Sequence, residues 1–350
     1  MKRNTLLVVL VLIAALLVAA CASPAAAPAP SAPASGGAAS GGAAKSAAPA
    51  QFKVAIVMPS AITDAAFSQS MYEALLAVQK EMGGADKLKI SYSENQFNVP
   101  NAAAAMRDYA SQGNQLVIAH GTQYGNSLQE VARDFPEVSF AWGTATDTFT
   151  DKGLKNVFAY QAEAEEGGYV LGVLAALSSK SGVLGVAGPV EAGDAKLYVD
   201  GFKKGAEQAK QGVKVNVTYT GSFSDVSLMS AAAETHIKAG ADMLTGSSQS
   251  VVGAIGAAKD KKALWFGTQW DQTSLAPETV AASQVYDWIP TVKDMIASHN
   301  AGQNGGKVYT LTLKNGGLKI VYNSKVTVPD AAKKAADQAA KDIADGKVKP

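Results

Sequence analysis

Apolar residues along this chain fall into short continuous runs, separated by stretches in which they recur with helical spacing. Residues 52–58 form a buried-strand run that stops at Pro59. Asp64 is placed to cap a helix whose apolar positions Phe67, Met71, Leu75 and Val78 share one face. The same reading predicts strands over 88–92, 115–120 and 138–142, with helices over 102–112 and 126–134 between them. Residues 157–160 lead into a helix over 163–178, after which the alternation restarts. Strands are predicted over 183–187, 213–220, 242–245 and 263–267, and helices over 196–208, 227–239 and 251–259. A helix over 288–300, strands over 309–313 and 318–322, and a helix over 329–344 complete the pattern.

Strands separated by helices mean βαβ units and parallel sheets, so the fold class is α/β. Two successive sets of four strands predict two lobes of like topology. The expected lobes are 52–157 with 286–324, and 158–285 with 325–350. Three chain crossings are expected near 156–160, 283–288 and 323–328. Ligands of parallel α/β sheets bind beyond the carboxyl ends of the strands. The loops 58–67, 120–126, 187–198, 246–251 and 267–272 therefore line a cleft between the lobes.

The first fifty residues follow another pattern. A basic head, Met1-Lys-Arg-Asn4, precedes an apolar run over 5–20 that ends in Val18-Ala-Ala-Cys21. This describes a secretory signal over 1–20, whose apolar run is shorter than the roughly 20 apolar residues that span a bilayer. Cys21 after small residues resembles a bacterial lipobox, whose cysteine is lipidated (palmitate being one such acyl group). Residues 22–50 are Ala, Pro, Gly and Ser with one charge, Lys45, and no aromatic or large aliphatic residue, a composition that predicts a disordered tether over 21–51 averaging about 30 Å end to end. The expected location is the cell envelope, with the body lipid-anchored to the outward face of a bacterial membrane.

Charge and chemistry narrow the function. The 350 residues hold 31 basic and 30 acidic side chains, which gives no electrostatic footprint for nucleic acid. A single cysteine excludes an internal disulfide framework, and the histidines His120, His236 and His299 have no metal-ligand spacing. Metalloprotease, hydrolase-elbow and phosphate-loop patterns are missing. Gly182, Gly185 and Gly188 mimic a dinucleotide fingerprint, but Pro189 stands where its helix would open. No catalytic residue, metal or cofactor is expected, and the chain reads as a monomeric binding protein rather than an enzyme.

Several segments carry a family resemblance. They include Asp64-Ala-Ala-Phe67-Ser-Gln69, His120-Gly-Thr-Gln-Tyr-Gly-Asn126, Glu166-Gly-Gly-Tyr169-Val-Leu-Gly172 and Gly201-Phe-Lys-Lys-Gly205. Tyr219-Thr-Gly-Ser-Phe-Ser-Asp225 and Gly267-Thr-Gln-Trp-Asp-Gln272 complete the set. In this order the segments resemble the basic membrane lipoprotein (BMP) family of solute-binding proteins, from Phe52 to the end of the chain. The resemblance implies the two-lobed periplasmic-binding-protein type I fold, capture of a purine nucleoside or base by lobe closure, and delivery to an ABC permease and its ATPase. It departs from the nucleoside-binding pattern at Ser68, where asparagine is usual, and at Asn126 and Gln269, where acids are common.

The expected ligand-binding residues are Asp64, Phe67, Ser68, Tyr124, Asn126, Tyr198, Gln269, Trp270, Asp271 and Trp288. Each has an ordinary alternative. Phe67 and Trp288 sit equally well in a core, and Asp64, Asn126 and Asp271 equally well as caps or turn residues. Amides at Asn126 and Gln269 suit the mixed donor and acceptor edge of a purine base, with an intact nucleoside as runner-up. The competing functions are a tethered sensor ectodomain of the same fold and a receptor for a non-purine solute.

Overall fold

A computed structural model describes residues 51–350. The signal-like run, the tether and Cys21 lie outside the described residues. Along the chain, β1 (Phe52–Val57), α1 (Phe67–Glu81), β2 (Leu88–Ser93), α2 (Val99–Ser111), β3 (Leu116–Ala119), α3 (Gly125–Asp134), β4 (Ser139–Gly143) and β5 (Val157–Ala162) build the first lobe. The second begins with α4 (Ala164–Ser178), β6 (Val183–Gly188), α5 (Gly193–Ala209), β7 (Lys214–Tyr219) and α6 (Val226–Lys238). It continues through β8 (Met243–Gly246), α7 (Val251–Lys261), β9 (Leu264–Gly267) and β10 (Val280–Tyr286). The chain returns to the first lobe for α8 (Ile289–Asn300) and β11 (Val308–Leu311), and ends in the second with β12 (Leu318–Tyr322) and α9 (Asp330–Ala344).

Each lobe holds a six-stranded sheet, ordered β11-β5-β4-β3-β1-β2 in one and β12-β10-β9-β8-β6-β7 in the other. All pairings are parallel except β10 with β12. Alternation along a strand sends neighbours to opposite faces. In β1 and β3, Val54, Ile56, Leu116 and Ile118 pack with Met71 and Leu75 of α1. Their neighbours Ala55, Val57, Val117 and Ala119 pack on the other face with Met106 and Leu128 of α2 and α3. Burial on both faces is why these strands read as unbroken apolar runs.

Sheet pairing moves two of the expected crossings. β5 pairs with β4 along its length, so the first crossing follows Ala162 rather than lying near 156–160. β12 pairs antiparallel with β10, placing it in the second lobe, and the third crossing runs through 312–317 instead of 323–328. The reason is an edge: without β12, one side of β10 would present unpaired N–H and C=O groups. The second crossing runs through 286–289, between β10 and α8. β10 itself was not expected as a strand, because Ala-Ala-Ser-Gln carries little β preference outside a packed sheet. Among the described residues no helix is long and apolar enough to cross a membrane.

Candidate ligand-binding site

The first lobe presents an aromatic face on a rigid mount. Beyond β1, the carboxylate of Asp64 accepts hydrogen bonds from Ser60 Oγ (2.5 Å) and from the backbone N–H groups of Ala66, Ser68 and Gln69. It ties down the loop and the first turn of α1 together. Burial nonetheless raises its pKa, the largest effect upon it. Phe67, the first residue of α1, stacks on His120 with ring centroids 3.7 Å apart and planes 8° from parallel.

His120 is held by two bonds that fix its protonation. Nε2 lies 2.9 Å from Phe67 O, which can only accept, so Nε2 carries the hydrogen. Nδ1 lies 2.6 Å from Tyr160 Oη and accepts from it. The ring is neutral, and burial pushes its pKa down to about 3. His120 therefore backs Phe67 and does not face the cleft.

The second lobe contributes polar groups. α5 begins at Gly193, whose φ of +55° a side chain would strain, and its next residue is Asp194. Asp194 is 8% exposed, and its Oδ2 has no partner. Burial, with the nearby negative charge of Glu163 adding to it, pushes this carboxyl up to about 7. Gln269 follows β9 in a left-handed conformation (φ +72°), an uncommon state for a residue with a side chain. Its Oε1 is likewise buried and unpartnered, as is Oε1 of Gln249 in the β8–α7 loop. Ser248 Oγ donates to Phe223 O (2.7 Å), fastening the β7–α6 loop to the β8–α7 loop.

These groups enclose a cavity of about 420 Å³ walled by both lobes. Its size is typical of small-molecule sites, about 300–1,000 Å³. Phe67, Phe97, Thr122, Gln123 and Thr144 line it from the first lobe. Asp194, Phe223, Ser247, Gln249 and Gln269 line it from the second. Phe97 and Phe223, one from each lobe, approach each other with ring centroids 6.3 Å apart. Deeper in the molecule, Gln272 Nε2 donates to Ala65 O (3.1 Å), a second link between lobes. Asp194 is the only charged side chain among the described lining residues. Among the described residues no cluster of His, Cys, Asp and Glu could hold a metal ion.

Of the ten expected ligand residues, Phe67 and Gln269 line this cavity. Asp64 and Ser68 lie behind it in the loop network, Ser68 Oγ 2.7 Å from Ser60 Oγ. Tyr124 is buried and donates to Gln96 O (2.8 Å), while Asn126 is exposed on α3. Tyr198 is buried, its Oη 2.7 Å from Thr245 Oγ1. Trp270 is half-buried outside the lining, and Asp271 accepts from Thr273 N as a turn cap. Trp288 lies in the core and donates to Ser70 Oγ (3.1 Å). Phe97, Phe223 and Asp194 went unread as site residues. Two stand in loops without periodicity, and an acid in the first turn of a helix is commonplace.

This arrangement binds and encloses. It offers ring faces, uncharged polar groups and one carboxyl, with no nucleophile–base pair in the cavity. The family model of the PnrA-like substrate-binding proteins of ABC transporters, Bmp, matches residues 51–348. The chain belongs to that family. Bmp proteins are substrate-binding components of ABC transporters and not enzymes. The chain is 29% identical over 265 residues to a purine-binding protein of Brucella abortus, covering 76% of this chain and 73% of that one. It is 27% identical over 322 residues to the ABC transporter nucleoside-binding protein BmpA of Lactococcus lactis, covering 85% and 88%. The fold is that of ABC solute-binding proteins, as a solved structure from Conexibacter woesei shows. That structure superposes with a TM-score of 0.70 at 23% identity, over 85% of this chain and 98% of its own.

Proposed function

We propose that this protein captures a purine nucleobase between its lobes and delivers it to the permease and ATPase of an ABC importer. The observation that carries the reading is one cavity between two lobes in which aromatic rings face buried oxygens without partners. Stacking a base on an aromatic ring is worth about 1–3 kcal/mol. Buried acceptors left unpaired cost free energy, which a ligand's N–H groups recover. The purine- and nucleoside-binding names of the two relatives support the same class. An intact nucleoside is the second reading, favoured by the Asp194 carboxylate, which suits a ribose diol.

Titration calorimetry with adenine, guanine, xanthine and their ribosides tests this. Bases are expected to bind at least as tightly as ribosides. Ribosides binding more than tenfold tighter would give the site to nucleosides, and no binding by either set would remove purines altogether. The proposal includes anchoring: Cys21 carries the lipid and residues 21–51 form the leash on the outward face of the membrane. Changing Cys21 to Ser is expected to move the protein into the soluble fraction, and its retention on membranes would refute the anchor.

A further inference from the structure

The proposed purine reading leaves open what the one charged group in the cavity does, and the following rests on that reading. Asp194 is more than nine-tenths buried, yet Oδ2 meets no hydrogen-bond donor. The other unpartnered oxygens in the cavity, on Gln249 and Gln269, are also acceptors. No lysine, arginine or histidine is among the described lining residues. A carboxyl so placed is a stability cost in the empty protein, and a ligand with hydrogens to give removes it. An anionic ligand would instead bring a second negative charge into a poorly solvated space with no cation to offset it.

We infer that Asp194 is a specificity-determining residue: it admits neutral ligands that present N–H or O–H donors and rejects anionic ones. The donors come from the edge of a base or from a ribose diol, and the choice of ligands separates these sources. Glu163, in the β5–α4 connection, adds a nearby negative charge that sharpens the rejection. Tyr160 of β5 and Tyr286 of β10 also lie within reach of the Asp194 charge and stay neutral hydroxyls. On α5 itself, Lys196 is exposed and bonded to Asp200 at 2.6 Å, so it does not neutralise the site.

The test is calorimetry at pH 8, where most of the carboxyl is ionised in the empty protein, on the full chain and on Asp194→Asn, with guanine, guanosine, 2′-deoxyguanosine and urate, the last an anion at that pH. The wild type is expected to bind the best neutral ligand at least tenfold tighter than urate. Asp194→Asn should weaken neutral ligands about tenfold and narrow the gap to urate. Loss spread evenly over all three neutral ligands places the donors on the base. Loss confined to guanosine places them on the diol. Either result supports the inference. Unchanged affinities in a folded variant overturn the inference alone, and a wild type that binds none of the purines overturns the proposed function with it.

A measurement on the wild type keeps the test open if the variant does not fold. The empty cleft holds the carboxyl at about 7, and ligand donors stabilise its ionised form. Binding near pH 7 should therefore release protons, read from calorimetry in two buffers of different ionisation heat. Binding without proton release would overturn the role of Asp194.

Discussion

His120 shows how one side chain serves the site without touching a ligand. Its ring backs Phe67, its Nε2–H holds the carbonyl of the same residue, and Tyr160 secures its other nitrogen. This requires the neutral form, which the fold keeps until about pH 3, whereas an unfolded histidine takes up its proton near 6.5. The unfolded state therefore binds more protons across that interval. Stability from His120 is fully present above pH 6.5 and is lost as pH falls toward 3, at up to about 1.4 kcal/mol per pH unit. Asp64 works in the opposite direction: its raised carboxyl contributes stability below its ordinary pKa that is lost as pH rises through the folded value. Urea unfolding at pH 7 and pH 5 should show His120→Gln losing about 2 kcal/mol less than the wild type over that step. Equal losses would mean that His120 is not held neutral.

At the scale of elements, the placement of Asp194 depends on a close seam between α4 and α5. A Cβ on Gly168 would fall 2.4 Å from Tyr198 O, on Gly172 2.1 Å from Phe202 O, on Gly201 2.2 Å from Glu165 O, and on Gly205 2.1 Å from Tyr169 O. Backbone meets backbone, so the helices must separate to admit a methyl group. Gly205→Ala gains at most about 1 kcal/mol of helix preference. Overpacking costs about 1–3 kcal/mol, so the variant should melt earlier and bind ligand more weakly as α5 shifts. A variant at least as stable as the wild type would show that the seam has slack. The glycines were visible in the sequence as two pairs spaced by four, although their meeting was not. Helices and strands that bury one face or both were legible because periodicity records burial, as β1, β3 and α1 show. β10 was not, since its small residues become a strand only between β9 and β12. The strand-end loops, legible in the sequence, supply residues that line the cavity. The side chains within them were less so: Phe67 and Gln269 line the cavity, whereas Tyr198 and Trp288 spend their polar atoms inside the core.

The molecule as a whole is two sheets joined by three crossings at 162–164, 286–289 and 312–317. Strands this short-linked permit a hinge, and a ligand touching both walls favours the closed arrangement in proportion to its differential affinity. Small-angle scattering should show a smaller radius of gyration at saturation with a ligand that calorimetry shows to bind, and an unchanged profile would speak against closure. The Phe97–Phe223 pair, which joins the two walls of the cavity, has a kinetic consequence. While the rings meet, they narrow the way out between the lobes, so escape is slowed until the lobes separate. Phe97→Ala should raise the dissociation rate constant, read by stopped-flow displacement, well beyond any change in the association rate. Those two rings then govern dwell time. A carrier that feeds a permease needs a long dwell while it is free and a short one once the lobes are drawn apart.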